Sequence, residues 1–130
     1  MNTSQKAVEQ FVHERGWEKQ LPDHVAKSIT IEAAELLEIF QWSNPTAKEI
    51  KRNLKQLSLI KGELADVLIY SLHLANILGL NAETIVEEKL AFAAKKYPSE
   101  LMKRRSKGDS LATIEYLEIK NAYRAKKIKK

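Results

Sequence analysis

The sequence contains no cysteine, and it has only four glycines and three prolines in 130 residues. Without cysteine there is no disulfide framework and no thiolate metal site, which excludes zinc fingers and iron–sulfur clusters. The absence of cysteine also fits a reducing compartment. Because glycine and proline are the strongest helix breakers, their scarcity leaves room for long helices. Few stretches alternate in the way that strands require, so the composition favours an all-α protein.

The sequence also lacks signals for a membrane or for secretion. The N-terminus, MNTSQKAVEQF, has neither the basic start nor the apolar run of a signal peptide. The longest apolar-rich run, residues 67–80, is too short to span a bilayer. A glycine-rich phosphate loop, a nucleophile elbow and a His-Glu-x-x-His motif are all missing, so covalent catalysis has no candidate residue. We expect a cytoplasmic protein with no membrane partner.

The net charge of +5 is unevenly distributed along the chain. Residues 1–94 hold ten Lys and Arg against thirteen Asp and Glu, whereas residues 95–130 hold twelve against four. Such asymmetry suggests an anionic partner for the basic tail, or a neighbouring subunit on which it lies. The length suits one domain. We assign residues 1–98 to the principal domain and residues 99–130 to a basic connection and C-terminal helix, within that domain or packed on a dimer.

Apolar periodicity and capping residues predict a four-helix core with an added basic helix. The second helix should bury Ile29, Ala33, Leu36 and Phe40, and the last should bury Ala112, Tyr116, Ile119 and Tyr123. The first expected helix is capped by Ser4 and runs to about Arg15 before a stop at Gly16, and the second runs from Asp23 to about Trp42. The third runs from a Thr46–Glu49 capping box to Leu78, and the fourth from Asn81 to Lys96. Residues 99–108 are expected as a connection, and the last helix begins at Asp109 or Ser110.

The central helix carries the most informative stretch, residues 61–80, KGELADVLIYSLHLANILGL. Its expected core stripe includes Leu57, Ile60, Leu64, Val67 and Leu68, yet from Val67 onward it is apolar on almost every side. A helix without a polar face belongs in a core or in a subunit interface. One chain is too small to cover it completely, so we expect a homodimer. Gly62 is expected to mark a bend or a close approach between helices.

Two carboxylate pairs interrupt the two most apolar helices. Glu63 and Asp66 are three residues apart, as are Glu32 and Glu35, with Glu38 one turn further along. Residues three apart lie on one helix face, so two packed helices would bring four carboxylates around one space. Carboxylate oxygens are the ligands of hard cations such as Mg²⁺, which retain waters for substrate phosphates. A metal site is therefore the favoured hypothesis; the alternative is a set of solvated surface acids.

These motifs, Glu32-Ala-Ala-Glu35 and Glu63-Leu-Ala-Asp66 with 27 residues between them, resemble the signature of MazG-like nucleoside triphosphate pyrophosphohydrolases. The flanking segments are similar too: Glu38-Ile-Phe-Gln-Trp42, Val67-Leu-Ile-Tyr70 and Lys96-Tyr97-Pro98. The resemblance covers about residues 5–98 and is closest to small members of the dCTP-pyrophosphatase type. It implies an all-α fold that forms a dimer or a dimer of dimers.

The resemblance also implies a reaction and its residues. Such enzymes use Mg²⁺, with Mn²⁺ as a possible substitute, to split the α–β bond of a (deoxy)nucleoside triphosphate into the monophosphate and pyrophosphate. Carried over by position, the metal ligands would be Glu32, Glu35, Glu63 and Asp66. Either Glu32 or Glu35 would take the proton from the attacking water, and Glu38 would be an outer partner or a further ligand.

Substrate contacts are expected from several other residues, each with a structural alternative. Trp42 is expected to stack on a base, with packing in the core as the alternative. Lys89 and Lys96 are expected to contact the phosphate tail, with a solvated helix face as the alternative. Tyr97 is expected to belong to the same site. His24 is expected to contact base or phosphate, or else solvent. Trp17 is expected in the core, and His73 as a buried, hydrogen-bonded histidine.

Three positions depart from the family pattern. Ala93 replaces the usual Asn, Ala91 replaces a polar residue, and Gln20-Leu-Pro-Asp-His24 replaces His-x-Pro-x-Asn. Substrate preference is therefore not transferred to this chain. Ala93 and the basic tail also motivate the alternative function, which is a catalytically weak nucleotide-sensing or nucleic-acid-associated module on the same scaffold. Nucleic acid is the less favoured partner, because such a tail more often packs on its own dimer.

Overall fold

The computed structural model describes residues 2–128, with side chains for residues 2–126. Throughout this part the chain forms helices and no strand, which confirms the all-α fold class. None of these helices alone is long and apolar enough to cross a membrane, although α4 and α5 together meet the length and composition of a broken span. The helices are α1 (Thr3–His13), α2 (Pro22–Glu38), α3 (Ala47–Arg52), α4 (Leu54–Ile77), α5 (Ala82–Lys96), α6 (Ser99–Ser106) and α7 (Ser110–Ile128).

These helices form two compact units, Met1–Glu83 and Thr84–Lys130, which we call unit 1 and unit 2. The division comes within the first turn of α5. The assignment of residues 1–98 to a principal domain, with residues 99–130 in that domain or packed on a dimer, stays a prediction. Lys129 and Lys130, the end of the expected basic tail, lie outside the described residues. Each unit is described by itself below.

Helix α1 begins two residues earlier than expected. The side chain of Asn2, not Ser4, accepts a hydrogen bond from the backbone N–H of Gln5 at 2.9 Å, because asparagine is a strong N-cap and comes first along the chain. The helix ends at His13. Gly16 terminates the turn that follows, as predicted, because its φ is +66°, a left-handed conformation that favours glycine.

Helix α2 also differs from the expectation at both ends. It begins at Pro22, whose fixed φ suits the first helical position, and Asp23 lies in the first turn, where it pairs with Lys27 at 2.8 Å instead of capping the helix. It ends at Glu38, not Trp42. Phe40 donates its N–H to the carbonyl of Leu37, so the chain leaves the helix through tight turns.

The expected long third helix is divided in two. Its Thr46–Glu49 capping box is confirmed, but Asn53 leaves helical geometry at φ −93°, ψ 87°, and its side chain accepts a hydrogen bond from the N–H of Gln56. Asparagine competes with the helix in this way by bonding to nearby backbone. Gly62 lies inside α4, and a Cβ at this position would meet no atom of another element within 4 Å, so the expected close approach between helices is wrong.

Helices α2 and α4 form the most extensive helix pair of unit 1. On α2 the less exposed stripe is Val25, Ile29, Glu32 and Leu36, whereas Ala33, expected in the core, is exposed. On α4 the corresponding stripe is Ile60, Glu63, Val67, Tyr70 and Leu74. The expected core residues Leu64 and Leu68 are 45% and 54% exposed. The face of α4 that carries Glu63 turns toward α2, while Leu64 and Leu68 lie outside.

A fully buried glutamine joins α1 to the end of α4. The side chain of Gln5 donates to the side chain of Asn76 and to the carbonyl of Leu80, both at 2.9 Å, and its oxygen accepts from the N–H of Ala82. Asn76 in turn donates to the backbone carbonyl of Gln5 at 3.0 Å. Buried polar groups are costly unless they are hydrogen-bonded, and here each finds a partner, so the junction is well defined.

Unit 2 holds the basic helices. Residues 99–106, expected as a connection, form α6, because their lysine, arginine, leucine and methionine are good helix formers. Asp109 caps α7 as predicted by accepting from the N–H of Ala112, and it pairs with Arg104 at 2.8 Å. The expected stripe of α7 is confirmed, with Ala112 buried and Tyr116, Ile119 and Tyr123 partly buried.

Candidate metal centre

Three carboxylates from two helices meet at one point of unit 1. Glu32 comes from α2, and Glu63 and Asp66 come from one face of α4. One carboxylate oxygen of each lies within 4.8 Å of the other two. Glu32 and Glu63 are half-buried between the helices and Asp66 is exposed. We call this set the carboxylate cluster; it arises because the inward stripes of α2 and α4 carry glutamates where aliphatic residues would be expected.

Local cations do not neutralise the carboxylate cluster. Among residues 2–126, the ion pairs within 4.0 Å leave out all three of its members. The pKa of Glu32 is raised, first by its burial and then by the negative charges of Glu35, Asp66 and Glu63. Like charges held together at a partly buried site disfavour the ionised form. The arrangement is therefore electrostatically incomplete by itself.

The donor set fits a hard divalent cation. All three groups are carboxylates, and neither histidine nor cysteine is part of the cluster. Oxygen donors of this kind suit Mg²⁺ or Mn²⁺, which keep further positions for water and substrate phosphates. A cation at this point would relieve the repulsion that raises the pKa of Glu32. The chain can thus hold such an ion with Glu32, Glu63 and Asp66.

The other predicted carboxylates lie outside this cluster. Glu35 is exposed on α2 and influences Glu32 through its charge, but its oxygens are not among those that converge. Glu38 is exposed at the last residue of α2. Of the four predicted ligands, the structure brings three together and places Glu35 beside them.

A pocket of about 310 Å³ adjoins the carboxylate cluster and shares Asp66 with it. Its volume is near the lower limit of small-molecule sites, about 300–1,000 Å³. Trp17 presents its ring edge to Phe11, with 6.1 Å between centroids. Trp17 is 49% exposed, so the expectation that it packs in the core is wrong. The wall is formed by Phe11, Val12, Trp17, Gln20, Asp66, Ile69, Tyr70 and His73.

His73 lies at the inner end of this pocket. It is 4% exposed, and its Nε2 lies 3.0 Å from the side-chain oxygen of Gln20. Burial lowers the pKa of His73, so the ring is held neutral. This confirms the prediction of a buried, hydrogen-bonded histidine.

Two of the remaining predicted substrate residues, Trp42 and His24, belong to unit 1 but do not line this pocket. Trp42 is 89% exposed beyond the end of α2, and His24 is exposed in the first turn of that helix beside Asp23. Lys89, Lys96 and Tyr97 belong to unit 2, where Lys89 lies 5.3 Å from the ring centre of Phe92 and Lys96 5.2 Å from that of Tyr97. Their roles toward a substrate stay predictions.

Comparison with known proteins agrees with this geometry. The MazG-like family model matches residues 27–119 of the chain. The chain belongs to the MazG-like family. The crystal structure of a pyrophosphatase from Archaeoglobus fulgidus DSM 4304 is similar to this MazG-like chain, with 37% sequence identity and a TM-score of 0.63, over 72% of this chain and 88% of the other. No curated protein sequence matches significantly.

The family match includes the whole carboxylate cluster but begins after Phe11, Trp17 and Gln20. Sequence reasoning did not assign these three residues to a shared pocket. The sequence signal that could have indicated the pocket is the position of these three residues on either side of Gly16. The chain turns at Gly16 and places their aromatic and amide side chains against α4. In this MazG-like protein the pocket therefore depends on a segment outside the matched region.

Proposed function

We propose that this MazG-like protein is a Mg²⁺-dependent pyrophosphohydrolase that converts a (deoxy)nucleoside triphosphate to its monophosphate and pyrophosphate. The observation that carries the proposal is one residue: Asp66 belongs both to the carboxylate cluster and to the wall of the adjacent pocket. A site for a phosphate-bound cation thus adjoins a concave, aromatic-lined site for a nucleoside. The similarity to a protein described as a pyrophosphatase supports the same reaction class.

Each acid has a separate task in this proposal. Glu32, Glu63 and Asp66 hold the cation, while Glu35, exposed and one turn along α2, accepts the proton of the attacking water. When bound, Mg²⁺ offsets charge on the phosphate oxygens and makes the attacking water more acidic. Manganese, with similar oxygen preference, would serve as a substitute.

The pocket would hold the nucleoside. The half-exposed ring of Trp17 offers a face for base stacking, a contact worth about 1–3 kcal/mol where it has been measured. Tyr70 lies one turn beyond Asp66 on the inner face of α4 and lines the same wall. Stacking of the base against this wall would place the phosphates toward the carboxylate cluster through the shared Asp66.

The test is pyrophosphate release from a panel of canonical and modified nucleoside triphosphates, with and without Mg²⁺. The double variant Glu35→Gln and Asp66→Asn removes one proposed base and one proposed ligand. Metal-dependent release that the double variant lacks supports the proposal. Absence of release across the panel, while the protein still binds Mg²⁺, refutes the reaction and favours the nucleotide-sensing alternative.

We also propose that the protein works as a homodimer or a dimer of dimers. The outer face of α4 exposes Leu64, Leu68 and Ile69, and an apolar groove of about 590 Å³ runs between this face and α1. Contiguous exposed apolar surface of this kind is typical of interaction sites. A second copy is the occupant that best matches a surface rich in leucine and poor in charge, since subunit cores are apolar.

The dimer is tested by light scattering during size-exclusion chromatography. We expect a mass of at least twice the 14.9 kDa of the chain. Leu68→Arg should shift the protein toward the monomer. The same exchange at Leu111, a more exposed leucine of α7, should not. A wild-type mass near 14.9 kDa at micromolar concentration would contradict this proposal.

A second candidate function is weak association of unit 2 with nucleic acid. Several of its cations lie over tyrosine rings, including Arg105 at 4.2 Å from the centre of Tyr116, and lack an ion pair among the described residues. Cations beside aromatic rings suit a single-stranded backbone and its bases. Affinity for single-stranded RNA should then fall steeply with salt and fall further in Arg105→Gln. Binding insensitive to both changes would exclude this function.

A further inference from the structure

Three side chains are packed in series at one wall of the pocket beside Asp66. The guanidinium carbon of Arg15 lies 3.6 Å from the ring centre of Phe11. The ring centres of Phe11 and Trp17 are 6.1 Å apart, with an angle of 68° between the ring planes. Phe11 and Trp17 line the pocket, whereas Arg15 is not part of its wall. Arg15 therefore reaches the pocket through Phe11.

The way α1 ends explains the position of Arg15. In a continuing α-helix its backbone N–H would donate to the carbonyl of Phe11, but here it donates to the carbonyl of Val12 at 3.2 Å. The side chain supplies the missing donor, because Nη1 of Arg15 donates to the carbonyl of Phe11 at 3.0 Å. Basic side chains near a helix C-terminus often satisfy the last carbonyls in this way. The hydrogen bond and the ring contact together fix the guanidinium over Phe11.

The ring of Phe11 depends on this contact because open space adjoins it on two sides. Phe11 lines both the pocket and the apolar groove between α1 and α4, and it is 45% exposed. A side chain beside a void lacks packing partners on that side. Arg15 covers the ring with a planar guanidinium, a contact that lysine does not reproduce. The carboxylate of Glu14, 3.6 Å from Nη1 of Arg15, is exposed and holds the arginine only weakly.

The ring of Trp17 is held at its backbone and by Phe11. The N–H of Trp17 donates to the carbonyl of Val12 at 3.1 Å, directly after the turn at Gly16. The ring itself is half-exposed and meets Phe11 in an edge-to-face contact. A ring that is already ordered in the free protein does not have to be ordered when a ligand binds, which favours binding. Support from Phe11 therefore favours stacking of a base on Trp17.

Resting on the proposed function, we infer that Arg15 is a positioning residue for the nucleoside. It acts through Phe11 and keeps the ring of Trp17 in the orientation on which the base stacks. A different role for an arginine near bound phosphates is direct attraction by its charge. The two roles have different requirements: positioning needs a side chain that covers the ring of Phe11, whereas attraction needs only the positive charge.

The first experiment measures kcat and KM for the triphosphate that is cleaved best. Arg15→Ala removes both the charge and the ring contact, and we expect KM to rise by about tenfold, within the contribution of one stacked base. The value of kcat should change by less than about twofold, because the lost contact is the same in the ground state and in the transition state. Lys19→Ala removes the same charge from the same exposed segment and should leave KM unchanged.

Two further variants separate the ring contact from the charge. Arg15→Met covers the ring of Phe11 without a charge and should keep KM near the wild-type value. Arg15→Lys keeps the charge without the planar contact and should raise KM more than Arg15→Met does. The reverse order, or a wild-type KM in Arg15→Ala, would overturn the positioning role.

A double variant tests whether Arg15 acts through Trp17. Trp17→Ala removes the stacking surface, so the further change Arg15→Ala should cause no additional increase in KM. Independent effects of the two changes, each multiplying KM by its own factor, would overturn the inference.

Fluorescence of Trp17 separates this inference from the proposed function, because it needs no turnover. In a Trp42→Phe background Trp17 is the one remaining tryptophan. Without nucleotide, its anisotropy should decay faster in Arg15→Ala than in Arg15→Met, and quenching by UMP or AMP with MgCl₂ should be weaker. The midpoint of urea unfolding verifies that both variants are folded. If no triphosphate is cleaved, the proposed function fails, yet these differences still support the inference. Equal anisotropy decay in the folded Arg15→Ala variant and its parent would overturn it.

Discussion

The two units each contain a cluster of charged side chains, and the clusters are built in opposite ways. In unit 1, Glu32 and its two neighbours bring three negative charges within 4.8 Å of one another with no basic partner among the described residues. In unit 2, Arg104 lies 2.8 Å from Asp109 and 3.6 Å from Glu115, so that positive and negative groups alternate. One cluster is left without a basic partner among the described residues, and the other is paired internally.

A carboxyl group in unit 1 and a carboxyl group in unit 2 therefore have pKa values shifted in opposite directions. The pKa of Glu32 is raised by burial and by neighbouring acids, whereas the pKa of Asp109 is lowered, chiefly by its hydrogen bond to Arg104. Perturbed groups occur both at functional sites and in structural ion pairs. The direction of the shift separates the two cases here, because only the cluster of unit 1 is left uncompensated. The following changes test that distinction.

The largest expected effect is on activity. Glu63→Gln removes a charge that the cation requires, and we expect pyrophosphate release to fall by at least about 100-fold, since even outer partners of metal ligands cost about 10–100-fold. The matched control is Glu9→Gln, the same exchange at an exposed position of α1, which should retain activity. An active Glu63→Gln variant would mean that the carboxylate cluster is not the metal centre.

The next effect is on stability. Because a cation would bind the folded carboxylate cluster and not the unfolded chain, Mg²⁺ should raise the free energy of unfolding by about 2.7 kcal/mol at a concentration 100 times its Kd. Urea unfolding with increasing MgCl₂ measures this. The increase should be largely absent from Glu63→Gln, and an equal increase in that variant would show that Mg²⁺ acts elsewhere.

A smaller effect separates Glu32 from Glu35 on α2. Glu35→Gln should lower kcat, because it removes the proposed proton acceptor, a contribution of about 100-fold or more, but it should leave the Mg²⁺-dependent gain in stability in place. Glu32→Gln should reduce both quantities. If Glu35→Gln loses the Mg²⁺-dependent gain as well, Glu35 is a ligand, as the resemblance to the family implied.

The smallest effect is expected in unit 2 and depends on pH. The folded pKa of Asp109 lies below its ordinary value of 3.8, so on acidification the unfolded chain takes up this proton first. The stabilisation is complete above about pH 5 and is lost as pH falls past 3.8 and through the folded pKa. Asp109→Asn, which can still cap α7, should flatten the unfolding free energy between pH 5 and 3, whereas Glu118→Gln on the same helix should not.

Much of the fold followed from local signals. The Thr46–Glu49 capping box, the stop at Gly16 and the stripe of α7 were predictable because each depends on residues close together in the sequence. The proximity of Glu32 to Glu63 and Asp66 was also predictable, since a three-residue spacing places acids on one face and apolar helices must pack together.

The features that could not be predicted depended on which face of a helix is buried and on contacts between distant segments. Around Glu63, α4 has apolar residues on more than one side, so periodicity could not decide whether Leu64 or Glu63 turns inward. The pocket required α1 to be placed against α4, and the pairing of Gln20 with His73 joins residues 53 positions apart. Local patterns contain no information about such long-range pairs, and the break at Asn53 resulted from a side chain competing with the helix.

The buried junction at Gln5 has a consequence for the order of events during folding. Its partners Asn76 and Leu80 come 71 and 75 residues later in the chain, so the position of α1 can be fixed only after α4 is available. Contacts between such distant residues form slowly, because a long loop must close first. During synthesis, Phe11 and Trp17 would lack the opposite side of their pocket until α4 has been made. The pocket beside Asp66 is thus formed late in folding, once α1 and α4 have packed together.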